Sequence, residues 1–155
     1  MERYELQPVT ESLLPQIVEL EALCFSRPIT ESLLRHQLSD PLYTLLAAVD
    51  VRGRVLGYAG LMTVMDEGYI ENVAVHPVVR RMGIGTALIQ ALLQNGTERE
   101  LAFLTLEVRE SNTPAQRLYE NHGFSVVGIR KNYYDKPTEN AILMTRFFRD
   151  HADIM

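Results

Sequence analysis

Cysteine is nearly absent from this chain: Cys24 is the only one in 155 residues. A single thiol rules out an internal disulfide and a cysteine-rich metal site, and it fits a reducing compartment, so Cys24 reads as core packing. Long apolar runs are missing too. The longest, residues 45–49, is far short of the ~20 apolar residues that a bilayer-spanning helix needs. The start, Met-Glu-Arg-Tyr-Glu, lacks the basic-then-apolar layout of a secretory signal, so a cytoplasmic location and no membrane partner are expected. There is no excess of positive charge either. A formal charge of −5 argues against direct nucleic-acid binding through a broad basic face, though a basic peptide would be tolerated. His36, His76, His122 and His151 stand at no metal-ligand spacing from one another or from acidic residues, so no metal site is expected. Repeats, low-complexity tracts and Gly, Ser or Pro linkers are also lacking. With 46% hydrophobic and 23% charged residues, the composition is that of one ordinary globular domain spanning residues 1–155, with a full-sized core.

The stretch around which the rest is organised is Val73-Ala-Val-His-Pro-Val-Val-Arg-Arg-Met-Gly-Ile-Gly-Thr-Ala-Leu88. Residues 69–75 favour a strand, and His76-Pro77 ends it, because proline cannot donate to a ladder and restricts the residue before it. Beyond the glycines, Ile84, Ala87, Leu88, Ala91 and Leu92 recur at helical spacing, and Asn95-Gly96 is the expected end of the helix. Between strand and helix sit Arg80, Arg81, Gly83 and Gly85. The first N–H groups of a helix have no internal partner, glycines allow close backbone approach, and two guanidinium groups stand nearby, so this loop suits an anion such as a pyrophosphate. The Walker pattern is excluded because no Gly-Lys-Ser/Thr follows the glycines. The dinucleotide fingerprint is excluded because Leu88 stands where a third glycine is needed and segment 76–82 separates strand from helix.

The rest of the chain alternates between the two periodicities. Residues 4–9 suit a short strand. Thr10 can cap a helix bearing Leu13, Leu14, Ile17, Leu20 and Leu23 with Pro15 in its first turns, and Thr30 a second with Leu33, Leu34 and Leu38 that ends at Asp40-Pro41. Residues 43–49 and 55–64 make a hairpin across Asp50-Val-Arg-Gly-Arg54, and a turn at 66–68 extends it to a meander. Residues 101–108, apolar on both faces, should form a central strand made parallel to 69–75 by the crossover helix. Thr113, Pro114 and Gln116 suit a capping box opening a helix that Gly123 ends. Strands at 124–127 and 141–147 would flank a long polar, tyrosine-bearing loop over 128–140. The order is that of an α+β domain.

Arg80-x-x-Gly83-x-Gly85 after a strand resembles the acetyl-coenzyme A loop of the GNAT acetyltransferase superfamily. Leu106-Glu-Val-Arg-Glu-Ser-Asn112, Ala115, Leu118-Tyr-Glu120, Gly123-Phe124 and Gly128-Ile-Arg-Lys-Asn-Tyr-Tyr134 look like the carboxy-terminal half of its RimI-like N-terminal acetyltransferase branch. The match runs over residues 72–144, and Cys24-Phe-Ser-Arg-Pro28 resembles the segment between the first two helices. Ile29 departs from the tryptophan often found there. The resemblance implies a GNAT fold, a mixed and mostly antiparallel central sheet of about six to seven strands with a splayed central parallel pair and about four flanking helices.

It also implies roles. The backbone of Val73, Ala74 and Val75 would align the pantetheine arm of acetyl-coenzyme A, the cosubstrate. Arg81, Met82, Gly83, Ile84, Gly85 and Thr86 would hold its pyrophosphate, and Asn112 would bond its arm. Glu107 would be the general base and Tyr119 the acid that protonates the departing thiolate. Tyr133 and Tyr134 would lie over the acceptor peptide. The residues alone also allow Glu107 to be paired with Arg109, Tyr119 to be an amphipathic core residue, and Asn112 to be a turn residue. The acceptor implied is the N-terminal alanine of a small-subunit ribosomal protein, reached by direct transfer in a ternary complex. An α-amine titrates at about 7.7 to 8.0 and a lysine amine at about 10.4, so at neutral pH roughly a tenth of the former is free and far less of the latter. A water-assisted glutamate base therefore suits an α-amine better. A small-molecule amine as acceptor, and a coenzyme A-binding partner subunit without turnover, stay open as alternatives.

Overall fold

The structure is a computed structural model that describes residues 3–149. Its elements, in chain order, are β1 (Tyr4–Pro8), α1 (Leu14–Cys24), α2 (Glu31–Ser39), β2 (Tyr43–Asp50), β3 (Val55–Val64), β4 (Glu67–Val75), α3 (Ile84–Glu98), β5 (Phe103–Arg109), α4 (Thr113–Glu120), β6 (Ser125–Tyr134) and β7 (Glu139–Phe147). The strands form one sheet in the order β1-β2-β3-β4-β5-β7-β6. β1 with β2, β2 with β3, β5 with β7 and β6 with β7 are antiparallel. β4 and β5 are parallel, paired at their amino-terminal ends through Glu67–Phe103, Gly68–Leu104 and Tyr69–Thr105. This is the mixed, mostly antiparallel sheet expected of the fold. Two compact units share it, one of residues up to 62 with 71–91, the other of residues 63–70 with those from 92 on. Both draw on β3, β4 and α3.

In the first unit, Leu14, Ile17 and Leu20 of α1 join Leu34 of α2 and Leu45, Ala47, Tyr58 and Ala74 of the sheet in one buried cluster. Burying each leucine or isoleucine is worth roughly 1.5 to 3 kcal/mol. Two expectations for α1 need correction. Thr10 precedes a short 3₁₀ turn, Glu11–Leu13, and makes no side-chain bond to a backbone amide there. Leu23 is 57% exposed and Glu21 is buried instead, because a turn of 3.6 residues carries the stripe from Ile17 to Leu20 and Glu21. Thr30 does cap α2, its hydroxyl accepting from the Leu33 N–H at 3.2 Å. The β2–β3 hairpin closes on Asp50, whose carboxylate accepts from the N–H groups of Arg52 and Arg54 at 2.9 Å and from Arg54 Nε at 2.8 Å.

In the second unit three boundaries differ from expectation. α3 runs through Gly96 to Glu98. That glycine serves packing, since a Cβ there would lie 2.8 Å from Phe148 Cζ. The left-handed residue after the helix is Glu100 (φ 56°). β5 begins at Phe103, with Leu101 and Ala102 buried in the turn before it. The strand then alternates, Leu104, Leu106 and Val108 facing the core and Phe103, Thr105, Glu107 and Arg109 half-buried on the other side. The expected loop over 128–140 is mostly strand: β6 continues to Tyr134, with its register against β7 slipping between Val126 and Gly128 and between Arg130 and Tyr134. As the last strand of the sheet β6 is exposed over nearly its whole length, so polar residues sit in it without penalty.

Candidate active site

In the first unit the glycine loop is built as the sequence implies. A 3₁₀ turn, Pro77–Val79, follows β4, with His76 Nδ1 accepting from the Val78 N–H at 3.2 Å. Arg81 and Gly83 then adopt left-handed φ values of 65° and 84° and lead into α3. The first bond of that helix runs from the Ala87 N–H to the Gly83 carbonyl at 3.0 Å. The amides of Ile84, Gly85 and Thr86 therefore have no acceptor inside the helix and form its electropositive opening. A Cβ built on Gly83 meets nothing within 4 Å, so the space above the loop is open to a ligand. Arg81 and Met82 are exposed beside it. Arg80 is exposed too but already engaged: its Nε donates to the Val75 carbonyl at 3.1 Å and its guanidinium reaches Cys24 Sγ at 3.5 Å. Cys24 in turn donates to the Val75 carbonyl at 3.5 Å. Val75 is thus tied to α1 by its carbonyl, while Val73 and Ala74 lead up to it along β4, Ala74 lying against Gly57 of β3.

The second unit gathers the other predicted residues. Glu107 lies on the open face of β5, 28% exposed by its side chain, with Oε1 3.5 Å from Arg130 Nε. Arg109 turns to other partners: Glu139 at 3.1 Å, the carbonyls of Asp135 and Pro137 at 2.8 and 3.0 Å, and the face of the Tyr134 ring at 4.5 Å. Tyr133 meets Tyr134 edge-on, ring centroids 5.1 Å apart, and Arg130 lies 5.9 Å over Tyr133. Tyr119 is buried against Phe124 at 5.7 Å. Burial, helped by the nearby Tyr134, holds the Tyr119 hydroxyl well above the ordinary phenol range, so it keeps its proton. Tyr134 is pushed up to about 12, first by burial and then by the charge of Glu107. Glu139 is held below its usual range first by the Ser111 hydroxyl, then by the Ser111 N–H and by Arg109.

Asn112 caps α4, its Oδ1 accepting from the Ala115 N–H at 3.2 Å. The expected Thr113–Gln116 capping box does not form, because the Gln116 amide donates instead to the carbonyls of Arg109 and Glu110. Sequence reasoning missed Arg130 and Glu139 as neighbours of the site, and the pairing it allowed between Glu107 and Arg109 goes to Arg130 instead. The places of Arg130 and Glu139 on β6 and β7 were hidden by reading segment 128–140 as a loop. Among the described residues no group of three or more His, Cys, Asp or Glu could hold a metal ion, and no helix is long and apolar enough to cross a membrane.

Residues 14–124 match the profile of the acetyltransferase (GNAT) family. A Bacillus subtilis protein provisionally named a ribosomal protein bS18-alanine N-acetyltransferase is 37% identical over 128 residues, 83% of this chain and 85% of that one. The matched stretch spans 64% of the length of proteins of the same name from Haemophilus influenzae and Escherichia coli. The crystal structure of the ribosomal-protein-S18-alanine N-acetyltransferase from Escherichia coli superposes with a TM-score of 0.87 at 31% identity, over 94% of each chain. A fold of the same kind, NAA60 from Arabidopsis thaliana solved with acetyl-CoA, gives 0.86 at 18% identity over 94% of this chain and 99% of that one. Motif, fold and sequence agree: the chain belongs to the acetyltransferase (GNAT) family, in its ribosomal-protein-alanine N-acetyltransferase branch.

Proposed function

We propose that this chain, acting in the cytoplasm as one catalytic domain over residues 1–155, transfers the acetyl group of acetyl-coenzyme A to the α-amine of an N-terminal alanine, the acceptor being a bS18-like ribosomal protein. The observation that carries the chemistry is the placing in one unit of a partly exposed carboxylate, Glu107 on the open face of β5, and a buried phenol, Tyr119 packed on Phe124, that keeps its proton. A carboxylate that can take a proton and a phenol that keeps one are the two groups that aminolysis of a thioester requires. The backbone of Val73, Ala74 and Val75 aligns the pantetheine arm, and the amides over Arg81, Met82, Gly83, Ile84, Gly85 and Thr86 take the pyrophosphate. Asn112, whose Oδ1 is used by the cap, offers its amide nitrogen to a carbonyl of the arm. The acceptor nitrogen attacks the acetyl carbonyl directly, its proton passes through water to Glu107, and the sulfur leaves with the proton of Tyr119. No covalent enzyme intermediate and no metal take part. Tyr133 and Tyr134 contact the peptide backbone, and a partner subunit is not needed for the chemistry.

The test uses synthetic peptides and acetyl-coenzyme A with mass-spectrometric detection. A peptide with a free N-terminal alanine should be acetylated far faster than the same peptide with a blocked terminus and an internal lysine, following the amine availabilities above. Products mainly on lysine side chains, or turnover of small amines alone, would overturn the reading.

A further inference from the structure

A buried polar relay in the first unit takes no part in the chemistry above. Glu21 sits on the inward stripe of α1 and is 1% exposed. A carboxyl so placed needs hydrogen-bond donors, because burying it without them is unfavourable. It has two: the Tyr58 hydroxyl donates to Oε1, and the Ile29 N–H donates to Oε2 at 3.4 Å. Tyr58, equally buried, is also hydrogen-bonded to the Asn72 side chain. The carboxyl and the phenol together join α1, the loop over 25–30, β3 and β4. A leucine at position 21 would continue the apolar stripe, but it would leave the Tyr58 hydroxyl and the Ile29 amide without their acceptor. The carboxyl supplies geometry where an apolar residue would supply burial.

The ends of the relay decide what that geometry is for. Asn72 immediately precedes Val73, Ala74 and Val75, and the Val75 carbonyl is held by Cys24 at the end of α1 and by Arg80. The loop over 25–30 therefore leaves α1 at the carboxyl end of β4. If the coenzyme arm lies along β4, as the proposed function has it, a group approaching the acetyl carbon past that end meets this loop. We propose that Glu21 is a positioning residue for the acceptor peptide: by holding Ile29 and Tyr58 together it fixes the loop that the peptide's first residues contact. This rests on the peptide-acetylation reading.

The experiment compares Glu21→Gln and Tyr58→Phe with the parent enzyme on an alanine-terminated peptide. Glutamine keeps the volume but places a donor where one acceptor oxygen stood, and phenylalanine removes only the hydroxyl. Each variant should raise the peptide KM about tenfold or more, with kcat within about threefold and the acetyl-coenzyme A Kd by calorimetry within about twofold, and the double variant should resemble the singles because one relay is broken in each. Exchange of the Ile29 amide, followed by NMR, should quicken in both. A peptide KM unchanged in both variants, even if Tm falls, overturns the proposal and leaves Glu21 a structural residue; so does a weakened coenzyme Kd or an unchanged Ile29 exchange rate. Should Glu21→Gln fail to fold, Tyr58→Phe decides alone. A parent enzyme that acetylates no peptide amine sinks the proposed function and this inference together, whereas an active parent with unaltered variants sinks this inference only.

Discussion

Replacing Tyr119 by phenylalanine deletes one oxygen from a side chain that is 7% exposed and leaves the ring and its contact with Phe124 in place. The effect on stability should be small, since a single hydrogen-bonding group contributes about 0.5 to 1.5 kcal/mol net. The effect on turnover should not be small. Burial and Tyr134 keep this hydroxyl protonated well beyond neutral pH, so it is available as a donor throughout an assay from about pH 6 to 9.5. Losing a general acid typically lowers kcat by about 10² to 10⁴, or roughly 2.7 to 5.4 kcal/mol of transition-state stabilisation. Glu107→Gln should lose a similar factor near neutrality but behave differently as pH rises. Raising the pH supplies free amine and does part of the work of the base, so this variant should regain activity until the acceptor is fully deprotonated. Tyr119→Phe should not regain it, and acetyl-coenzyme A affinity should change little in either. Stopped-flow or continuous thiol-release assays across that range read both profiles. If both variants parallel the parent with less than about tenfold loss, neither side chain carries the proton and both assignments must be withdrawn.

Two further predictions concern the first unit. Gly83 has a φ of 84° and open space around its Cβ position, so Gly83→Ala should cost the loop only about 1 to 2 kcal/mol of conformational strain. Gly83→Val should in addition abolish coenzyme binding by filling the ligand's space; calorimetry showing unchanged binding would place the pyrophosphate elsewhere. Asp50 is held at about 2, below its ordinary 3.8, chiefly by the Arg54 N–H. A carboxylate whose folded value is depressed stabilises the fold above its unfolded value and loses that contribution as pH falls toward the folded one. Asp50→Asn should therefore melt below the parent at pH 7, with the gap closing between about pH 4 and 2. A gap of the same size at both ends would mean that the hairpin does not depend on this charge.

Local signals carried most of the fold. The Thr30 cap, the Asp50–Arg54 turn, the glycine loop and the α3 stripe are each written within a few residues of the structure they direct, and all stand where the periodicity puts them. What was illegible depends on partners distant in sequence. Gly96 looked like a helix end because nothing nearby reveals that Phe148 needs its missing side chain. β6 looked like a loop because an edge strand need not alternate. The same blindness hid Arg130 from Glu107, since β7 is the strand that stands between their two strands. Asn112 and Thr113 are both good caps, and the choice fell to Asn112 because Gln116, needed for a box with Thr113, is drawn to the carbonyls that end β5. The glycine loop was legible for a reason of its own: a helix start is made of backbone, and glycine positions report backbone directly.

The pairing of Glu107 with Arg130 bears on whether a glutamate in an ion pair can serve as the base. Arg130 is 56% exposed and the contact is 3.5 Å, the kind of half-solvated pair whose net worth is about 0 to 1 kcal/mol. A buried, multiply bonded partner would oppose release far more strongly, by about 3 to 5 kcal/mol when broken. Arg109 is only partly buried but is held by more partners than Arg130, stacked on Tyr134 and bonded to Glu139 and two carbonyls, and it is not the residue that faces Glu107 in the ion pair. The division is consistent with the proposed chemistry. The tightly held arginine fixes the tyrosine that would lie over the peptide, and the loosely held one leaves the carboxylate at little cost when an ammonium arrives to replace it. An α-amine that is already about one-tenth free at neutral pH asks only modest basicity of that carboxylate, so the base needs access more than it needs a raised affinity for protons, and a weak exposed pair provides access.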